Sequence, residues 1–325
     1  MTEVVNLEIE MIQGPFNSIS TQVFVRVNPT GFAEDNLDGQ SAWRAGWRIA
    51  GQISGPYCVH SETLPAVIAF QDQGDGAGLL AAARIPDPCA WTVRLPATYK
   101  VDIALTLAGE CQQQSQYVFT FRANEIRRNS FYQTDLNGNY RRWVLRCVQH
   151  SLDDALSDGG EQFREEGLVC VVINPSTEQC SLATLHGVAI LAIVQQPDPE
   201  TITSVVEQLE VWGCVTACVL VGDVEIKDID LNNVQIPVGS WVSDVSEPLP
   251  GWAQFYVVDV ANISEASVFI DCQKMPVIVS DIRPFENCVS ARSQCAVLQK
   301  DVAAKGDYAG YCILSTNSQE SAVIE

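Results

Sequence analysis

The sequence is poor in histidine and in basic residues. Its 325 residues include only His60, His150 and His186, which stand far apart, so histidine-based metal or nucleophile chemistry has few side chains to draw on. Lysine and arginine number 19 against 40 aspartates and glutamates, which gives a net charge of −21. That charge repels phosphate backbones and anionic membranes. We therefore expect no nucleic-acid partner and no membrane partner.

Long hydrophobic runs are also missing. No stretch of eighteen apolar residues occurs, and the first residues do not form a basic segment followed by an apolar one. The sequence therefore predicts neither a membrane span nor a secretory signal, and we expect a cytoplasmic protein.

Cysteine, in contrast, is plentiful, with twelve residues scattered singly. Several lie inside apolar runs, among them Cys147, Cys170 and Cys312. Free thiols buried as small hydrophobic groups are the expected state. Cys214 and Cys218 lie close together, but no second pair of cysteines or histidines at zinc spacing accompanies them. We predict no metal site and no cofactor.

The residue pattern of the first part of the chain, residues 1–123, predicts a β-sandwich. Apolar residues alternate with polar ones in short runs, and Gly, Pro, Asn and Asp stand between the runs. Seven strands of this kind, at this spacing, are typical of an immunoglobulin-like sandwich. The predicted strands are Val4–Ile12, Thr21–Asn28, Gly46–Ser54, Leu64–Gln71, Gly78–Ile85, Tyr99–Leu107 and Gln116–Arg122. Residues 124–142 form a connector with a hairpin turn signal, Leu136-Asn137-Gly138.

The pattern changes in residues 143–325. Continuous apolar runs alternate there with segments that are compatible with helices, which predicts buried parallel strands and a compact (β/α)8 barrel of the TIM type. The predicted strands are Trp143–Val148, Leu168–Ile173, Gly187–Val194, Val215–Val221, Val234–Val242, Gln254–Val260, Pro276–Ser280 and Tyr308–Leu314. Such barrels usually take about 250 residues, so this one is short. The chain stops soon after the eighth strand, and we expect no closing helix.

Two acids follow apolar runs in a way that suggests a site. Asp223 comes after the run Val215–Val221 and Gly222, and Asp281 follows Pro276–Ser280. Barrel enzymes keep their chemistry at the carboxyl ends of the strands. These two acids are therefore the candidate catalytic residues.

The order of the parts resembles the family 2 glycoside hydrolases, the β-galactosidase and β-glucuronidase type. The resemblance covers roughly residues 20–315, and four segments carry it. They are WTVRLPATY at Trp91–Tyr99, FTFR at Phe119–Arg122 with the passage Phe131–Leu145, VLVGD at Val219–Asp223, and PVIVSD at Pro276–Asp281. The resemblance implies a sandwich followed by a catalytic barrel. It also implies an acid/base residue after the fourth strand and a nucleophile at the end of the seventh.

The chain departs from that family at the site itself. Both implied glutamates are aspartates here, Asp223 and Asp281. Gly222 stands where the family has an asparagine, and Leu314 where its eighth strand ends in tryptophan. Shortening each side chain by one carbon–carbon bond, about 1.5 Å, widens a retaining pair to roughly 7–8 Å, which is too far for direct nucleophilic attack.

Other strand-end residues give further candidates. Glu225 is the acid if the register slips by two residues. Asp259, at the end of the sixth strand, and Trp241, near the end of the fifth, are candidate substrate-binding residues, Trp241 by stacking on a sugar ring. Each also has a structural alternative, in which the acids bond to loop backbone and the tryptophan packs in the interior.

Two functions follow from these observations. The first is a glycoside-hydrolase-like protein with lost or weakened catalysis, acting as a carbohydrate-binding or assembly component. The alternative is an active glycosidase that cleaves O-glycosidic bonds with the pair Asp223 and Asp281. A carbohydrate is the expected ligand, and a protein partner or a homo-oligomer stays open.

Overall fold

The computed structural model describes residues 6–17, 19–30, 46–74, 79–122, 124–134, 139–195, 201–222, 234–242, 249–264 and 274–315. The chain divides into two compact units. One consists of residues 1–90, 97–121 and 136–138, and the other of residues 91–96, 122–135 and 139–325. As domain limits, residues 1–123, 124–142 and 143–325 stay a prediction.

The first unit is a sandwich of two antiparallel sheets. One sheet has the strand order β1-β2-β6-β5 and the other β4-β3-β7-β8. This is the A-B-E-D and C′-C-F-G arrangement of an immunoglobulin-like sandwich, so the predicted fold class is confirmed here. The strands are β1 Asn6–Gln13, β2 Ser20–Thr30, β3 Trp47–Tyr57, β4 Ala66–Ala69, β5 Gln71–Asp72, β6 Leu79–Pro86, β7 Thr98–Leu107 and β8 Glu110–Phe119.

Strand β8 differs from its prediction, which began at Gln116. It pairs with β7 from Glu110 onward. Ala108 and Gly109 have φ values of 51° and 89° and make a two-residue hairpin turn of the kind that matches strand twist. The first half of β8 carries glutamine and serine where an apolar inner face would be expected, so its alternation does not show in the sequence.

The second unit contains a closed barrel of eight parallel strands, as predicted. Its strands are nearly continuous apolar runs because both faces are covered. The strands are β12 Leu145–Gln149, β13 Val169–Ile173, β14 Ala189–Gln195, β15 Val215–Val221, β16 Val238–Val242, β17 Phe255–Asp259, β18 Val277–Ile282 and β19 Gly310–Leu314.

Five helices of this unit are described, and they are numbered here in chain order. They are α1 Leu152–Leu156, α2 Glu161–Glu166, α3 Thr177–His186, α4 Ile202–Glu210 and α5 Cys288–Val302. The sequence of Asp153–Glu166 is compatible with a helix throughout, but the structure has two separate helices there, α1 and α2. Gly159 and Gly160 lie between them with φ values of 69° and 75°, and left-handed backbone does not continue a helix. Among the described residues, no helix is long and apolar enough to span a bilayer.

The amino end of the barrel is closed by a small antiparallel sheet. Its strands β9 Asn124–Arg127, β10 Ser130–Thr134 and β11 Tyr140–Arg142 have the order β11-β10-β9. Phe131 of β10 is 3% exposed, and its ring meets that of Phe255, the first residue of β17, at 5.3 Å. The carbonyl of Phe131 accepts from the Trp143 N–H at 2.8 Å.

Arginines satisfy backbone carbonyls at this same end. Arg122 donates to the carbonyls of Glu210, Trp212 and Val215, which precede or begin β15. Arg142 makes two 2.7 Å bonds to the Asp307 carboxylate and donates to the Tyr308 carbonyl just before β19. Arg164 and Arg292 donate to carbonyls before β14 and β13 in the same way. The loops that lead into the strands are therefore held by charged donors.

Candidate functional site at the carboxyl end of the barrel

Two glycines show which side chains point into the barrel interior. A Cβ placed on Gly310 lies 3.0 Å from the Leu145 Cβ and 3.3 Å from the Ile278 Cγ1, so these three residues share one face of the sheet. Arg146, on the opposite face of β12, interacts with Arg292 of α5. Because the helices of such a barrel form its outer ring, the face of Gly310 is the inner one. A Cβ on Gly239 overlaps the Phe255 ring at 2.6 Å, which places Phe255 inside as well. Because side chains alternate along a strand, every second residue from these positions also faces the interior.

This alternation separates Asp281 from the interior. Ser280 and Ile282 share the face of Ile278, while Asp281 lies on the opposite face of β18. The Asp281 carboxylate accepts a 2.6 Å hydrogen bond from Arg283 Nε, and Arg283 also bonds to Asp301 of α5 at 2.9 Å. Burial disfavours the charge on Arg283, but the bonds to Asp301 and Asp281 outweigh it and raise its pKa.

The fourth-strand acids cannot be placed in the same way. Strand β15 ends at Val221, and Gly222 follows with a φ of 127°, a conformation that suits glycine. Asp223 and Glu225 lie outside the described residues. The structure therefore shows where the fourth barrel strand ends, but the two acids that follow it are not among the described residues.

The strand register groups the inward side chains into layers. Adjacent strands of such a barrel are offset by one residue each, and each layer takes one side chain from every second strand. Following the pairings around the barrel places Gln149, Ile193, Trp241 and Ser280 in one layer. This layer, the mouth layer, therefore joins Trp241, a predicted site residue, to two polar side chains that the sequence prediction did not select.

The layer above the mouth layer contains Ile173, Val221, Asp259 and Leu314 by the same register. Asp259 is therefore an inward-facing carboxylate at the rim, and its Oδ1 accepts from the Ala261 N–H at 2.7 Å. That bond is the loop-backbone role foreseen as the structural alternative. Leu314 is apolar and buried where the resemblance implies tryptophan.

Two buried polar groups of the mouth layer have no hydrogen-bond partner among the residues that the structure describes. Gln149 is 4% exposed, and its Oε1 accepts from the Ser315 N–H at 3.3 Å, while its Nε2 makes no bond. Ser280 is fully buried, and its Oγ makes none either. Buried polar groups are rarely left unpaired, so each is a point where a ligand or water gains a hydrogen bond. A polar residue at an inward position near the end of an apolar strand is the sequence signal that would have found both.

The mouth layer can therefore offer an amide donor, a hydroxyl and an indole ring. This mixture of an aromatic surface with a few polar groups suits a small polar ligand with an apolar face, such as a sugar ring. Within the described ranges, no group of three or more histidine, cysteine or acidic side chains is placed to hold a metal ion.

Comparison with known proteins shows what this fold is similar to. No model of a known protein family matches the chain, and no curated protein matches its sequence. Solved structures do match. A glycosyl hydrolase family 2 member from Bacteroides cellulosilyticus has a TM-score of 0.59 at 12% identity, over 96% of this chain and 44% of that one. A β-glucuronidase from Bifidobacterium dentium, solved in complex with coumarin-3-O-glucuronide, has a TM-score of 0.58 at 10% identity, over 95% and 61%.

A third match, the β-glucuronidase of Parabacteroides merdae, has a TM-score of 0.57 at 11% identity, over 96% of this chain and 47% of that one. The resemblance to family 2 glycoside hydrolases is thus confirmed at the level of the fold. The chain spans about half the length of the proteins it matches.

Proposed function

We propose that this protein is a glycoside-hydrolase-like protein in which catalysis is lost or greatly weakened and the barrel mouth binds a carbohydrate. In this role it serves as a carbohydrate-binding or assembly component. The fold is the one that the matched glycosidases use, and the carboxyl end of the barrel is where such folds keep their chemistry.

One observation carries the proposal. A glycosidase needs two carboxyl groups that flank one glycosidic bond. The Asp281 carboxylate is held by Arg283 on the outer face of β18, and the inward position beside it is the hydroxyl of Ser280. A carboxylate locked in an ion pair, 23% exposed and turned away from the interior, is poorly placed to attack a sugar.

The binding half of the proposal is supported by the mouth layer. Trp241 is half-buried against the barrel core and offers an aromatic surface. The Ser315 N–H fixes Gln149 Oε1, so the amide Nε2 points the other way and is left for a ligand oxygen. Gains of this kind are modest for each bond, about 0.5–1.5 kcal/mol, so we expect weak binding rather than tight capture.

The catalytic half is tested by hydrolysis. Wild type, Asp223→Ala and Asp281→Ala are assayed against a panel of aryl glycosides, including glucuronides and galactosides. We expect no turnover above the buffer rate for any of the three proteins. Turnover by wild type that either substitution abolishes would overturn the proposal.

The binding half is tested by the quenching of tryptophan fluorescence on titration with mono- and oligosaccharides. Trp241→Leu is expected to remove the response. Trp252→Leu is the matched control, because Trp252 precedes β17 at the amino end of the barrel and is half-buried against the same core. A response that survives in Trp241→Leu, or that Trp252→Leu removes equally, contradicts binding at the mouth.

The alternative, an active glycosidase, is favoured by one residue. Asp259 is an inward-facing carboxylate on the sixth strand, close to the mouth layer, and with Asp223 it supplies two acids for hydrolysis. If wild type is active, Asp259→Ala and Asp281→Ala show whether Asp259 or Asp281 is the acid that acts with Asp223. Loss of activity in Asp259→Ala but not in Asp281→Ala identifies Asp259 as the partner acid.

A further inference from the structure

Two buried thiols meet on the outer side of the barrel. Cys180 lies in α3, and Cys214 lies one residue before β15. Both residues are fully buried. The Cys214 Sγ donates to the Cys180 carbonyl at 3.3 Å. These sulfurs, 34 positions apart in the chain, are therefore already neighbours in the fold.

The surroundings of the pair favour a reactive thiol. The buried guanidinium of Arg122 acts on both sulfurs, and the Thr184 Oγ1 accepts from the Cys214 N–H at 3.4 Å. The hydrogen bond from Cys214, followed by the Arg122 charge, lowers the pKa of the Cys180 thiol against the effect of burial. Burial raises the pKa of Cys214. One thiol is thus the readier nucleophile and the other is its protonated neighbour.

The other buried cysteines of the barrel lack this combination. Burial raises the pKa of Cys218 to about 12. Burial also raises the pKa values of Cys147 and Cys312, and neighbouring thiols raise them further. Eleven cysteines are described, and all of them are free thiols in this structure. A direct contact between the two residues and a neighbouring cation coincide at Cys180 and Cys214.

We propose that Cys180 and Cys214 form a redox modification site that hydrogen peroxide converts to a disulfide. The Cys180 thiolate attacks one oxygen of the peroxide, the O–O bond breaks, and the departing hydroxide takes up a proton to become water. Cys180 is then a sulfenic acid. The Cys214 sulfur attacks it, the S–O bond breaks, and a second water leaves. Two thiols lose two electrons in total, and one peroxide is reduced to two waters.

The burial of both sulfurs is the reason for choosing peroxide over a glutathione disulfide. Hydrogen peroxide is much smaller than glutathione disulfide. It therefore needs a smaller opening of the structure to reach a buried sulfur. The bond would tie α3 to the start of β15 across a long loop, which restricts the unfolded chain and stabilises the native one. Oxidation is therefore expected to raise Tm by several degrees, and dithiothreitol is expected to reverse the shift.

The test uses the full chain, with peroxide added under native conditions and free thiols alkylated afterwards. Cleavage after glutamate separates Gln179–Glu200, which holds Cys180, from Val211–Glu225, which holds Cys214 and Cys218. Mass spectrometry is expected to find these two peptides joined, with the loss of two hydrogens, and separated again by dithiothreitol. Fragmentation assigns the bond to Cys214.

Variants separate the pair from its neighbours. Cys218→Ser is the matched control, since Cys218 is equally buried on β15 and has no thiol partner among the described cysteines. This variant is expected to keep the joined peptides and the Tm shift. Cys180→Ala is expected to lose both. Should that variant fail to fold, the mapping on wild type alone still decides. Cys180 and Cys214 recovered as alkylated thiols, or as sulfinic acids without a bond, while exposed Cys111 is oxidised, would overturn the proposal.

Discussion

The two ends of the barrel are built in opposite ways. At the amino end, a phenylalanine ring fills the opening and arginines bond to the carbonyls of the incoming loops. At the carboxyl end, Gln149 Nε2 and Ser280 Oγ are buried and have no partner in the described part of the chain. In barrels of this type, the amino end serves stability and the carboxyl end serves chemistry. The described residues therefore place ring packing and charged hydrogen bonds at the amino end, and unpaired buried polar groups at the carboxyl end.

The largest effect is expected from removing the ring that closes the amino end. Phe131→Ala leaves a cavity against Phe255 and should lower the free energy of unfolding by about 3–5 kcal/mol, the usual range for a buried phenylalanine. Urea denaturation followed by tryptophan fluorescence measures it. Ile282→Ala at the mouth, where the side chain is 45% exposed, is the control and should cost less than about 1 kcal/mol. Equal losses of unfolding free energy in Phe131→Ala and Ile282→Ala would contradict the difference between the two ends of the barrel.

A somewhat smaller loss is expected at the arginine that serves β15. Burial lowers the pKa of Arg122 to about 10, so part of its bonding free energy is spent on desolvation. Arg122→Ala still strands the carbonyls of Glu210, Trp212 and Val215, and we expect a loss of about 2–4 kcal/mol.

Calorimetry of Arg122→Ala measures this loss of stability, and Arg94→Ala is the control. Arg94 is exposed in the same unit, and its replacement should change stability by less than about 0.5 kcal/mol. Lysine at position 122 should restore only part of the loss, since a point charge cannot serve several carbonyls as the guanidinium fork does. Full rescue by Arg122→Lys would show that charge alone matters there.

At the barrel mouth, we expect a substitution to leave stability nearly unchanged or to raise it, in contrast to the losses at the amino end. Ser280→Ala removes a buried hydroxyl for which the described ranges contain no partner, so stability should stay within about 1 kcal/mol of wild type or rise. Saccharide affinity should fall in the same variant. Thermal unfolding and fluorescence titration are run on one preparation. A stability loss above about 2 kcal/mol would mean that Ser280 braces the barrel and is no ligand group.

The smallest effect concerns pH at the amino end. Burial raises the pKa of Glu210, the last residue of α4, despite opposing hydrogen bonding and the Arg122 charge. A raised carboxyl pKa favours folding below the unfolded value, about 4.3, and this stability is lost as pH rises through the folded pKa. Glu210→Gln should therefore gain stability over wild type at pH 7 and not at pH 3.5. Tm measured against pH tests this, and Glu165→Gln, on the exposed side of α2, should show no such gain.

The barrel strands were predictable because of where they lie. A parallel strand covered on both faces must be apolar throughout, so runs such as Val215–Val221 stand out from the polar helices between them. All eight were located from that signal. Strand β8 was misplaced because half of it faces solvent and carries glutamines, and a period of two cannot be read without apolar residues on one face.

The candidate site was only partly predictable. Trp241 and Asp259 were selected from the sequence, and the register places both on the inner face of adjacent strands. Gln149 and Ser280 were missed. They are separated by about 130 positions and meet only because the strand offset brings β12 and β18 into one layer. No local pattern contains that information.

The sequence by itself determined the fold class, the number of barrel strands and the net charge of −21. Each of these follows from local patterning or from composition, which burial and charge translate directly into structure. Only the tertiary structure decided which face each strand-end residue occupies. Asp281 and Ser280 are neighbours in the chain, yet one is held by Arg283 outside and the other points within, because a strand turns consecutive side chains to opposite faces. Because the barrel is closed, one of those faces lines its interior and the other lies on its outside.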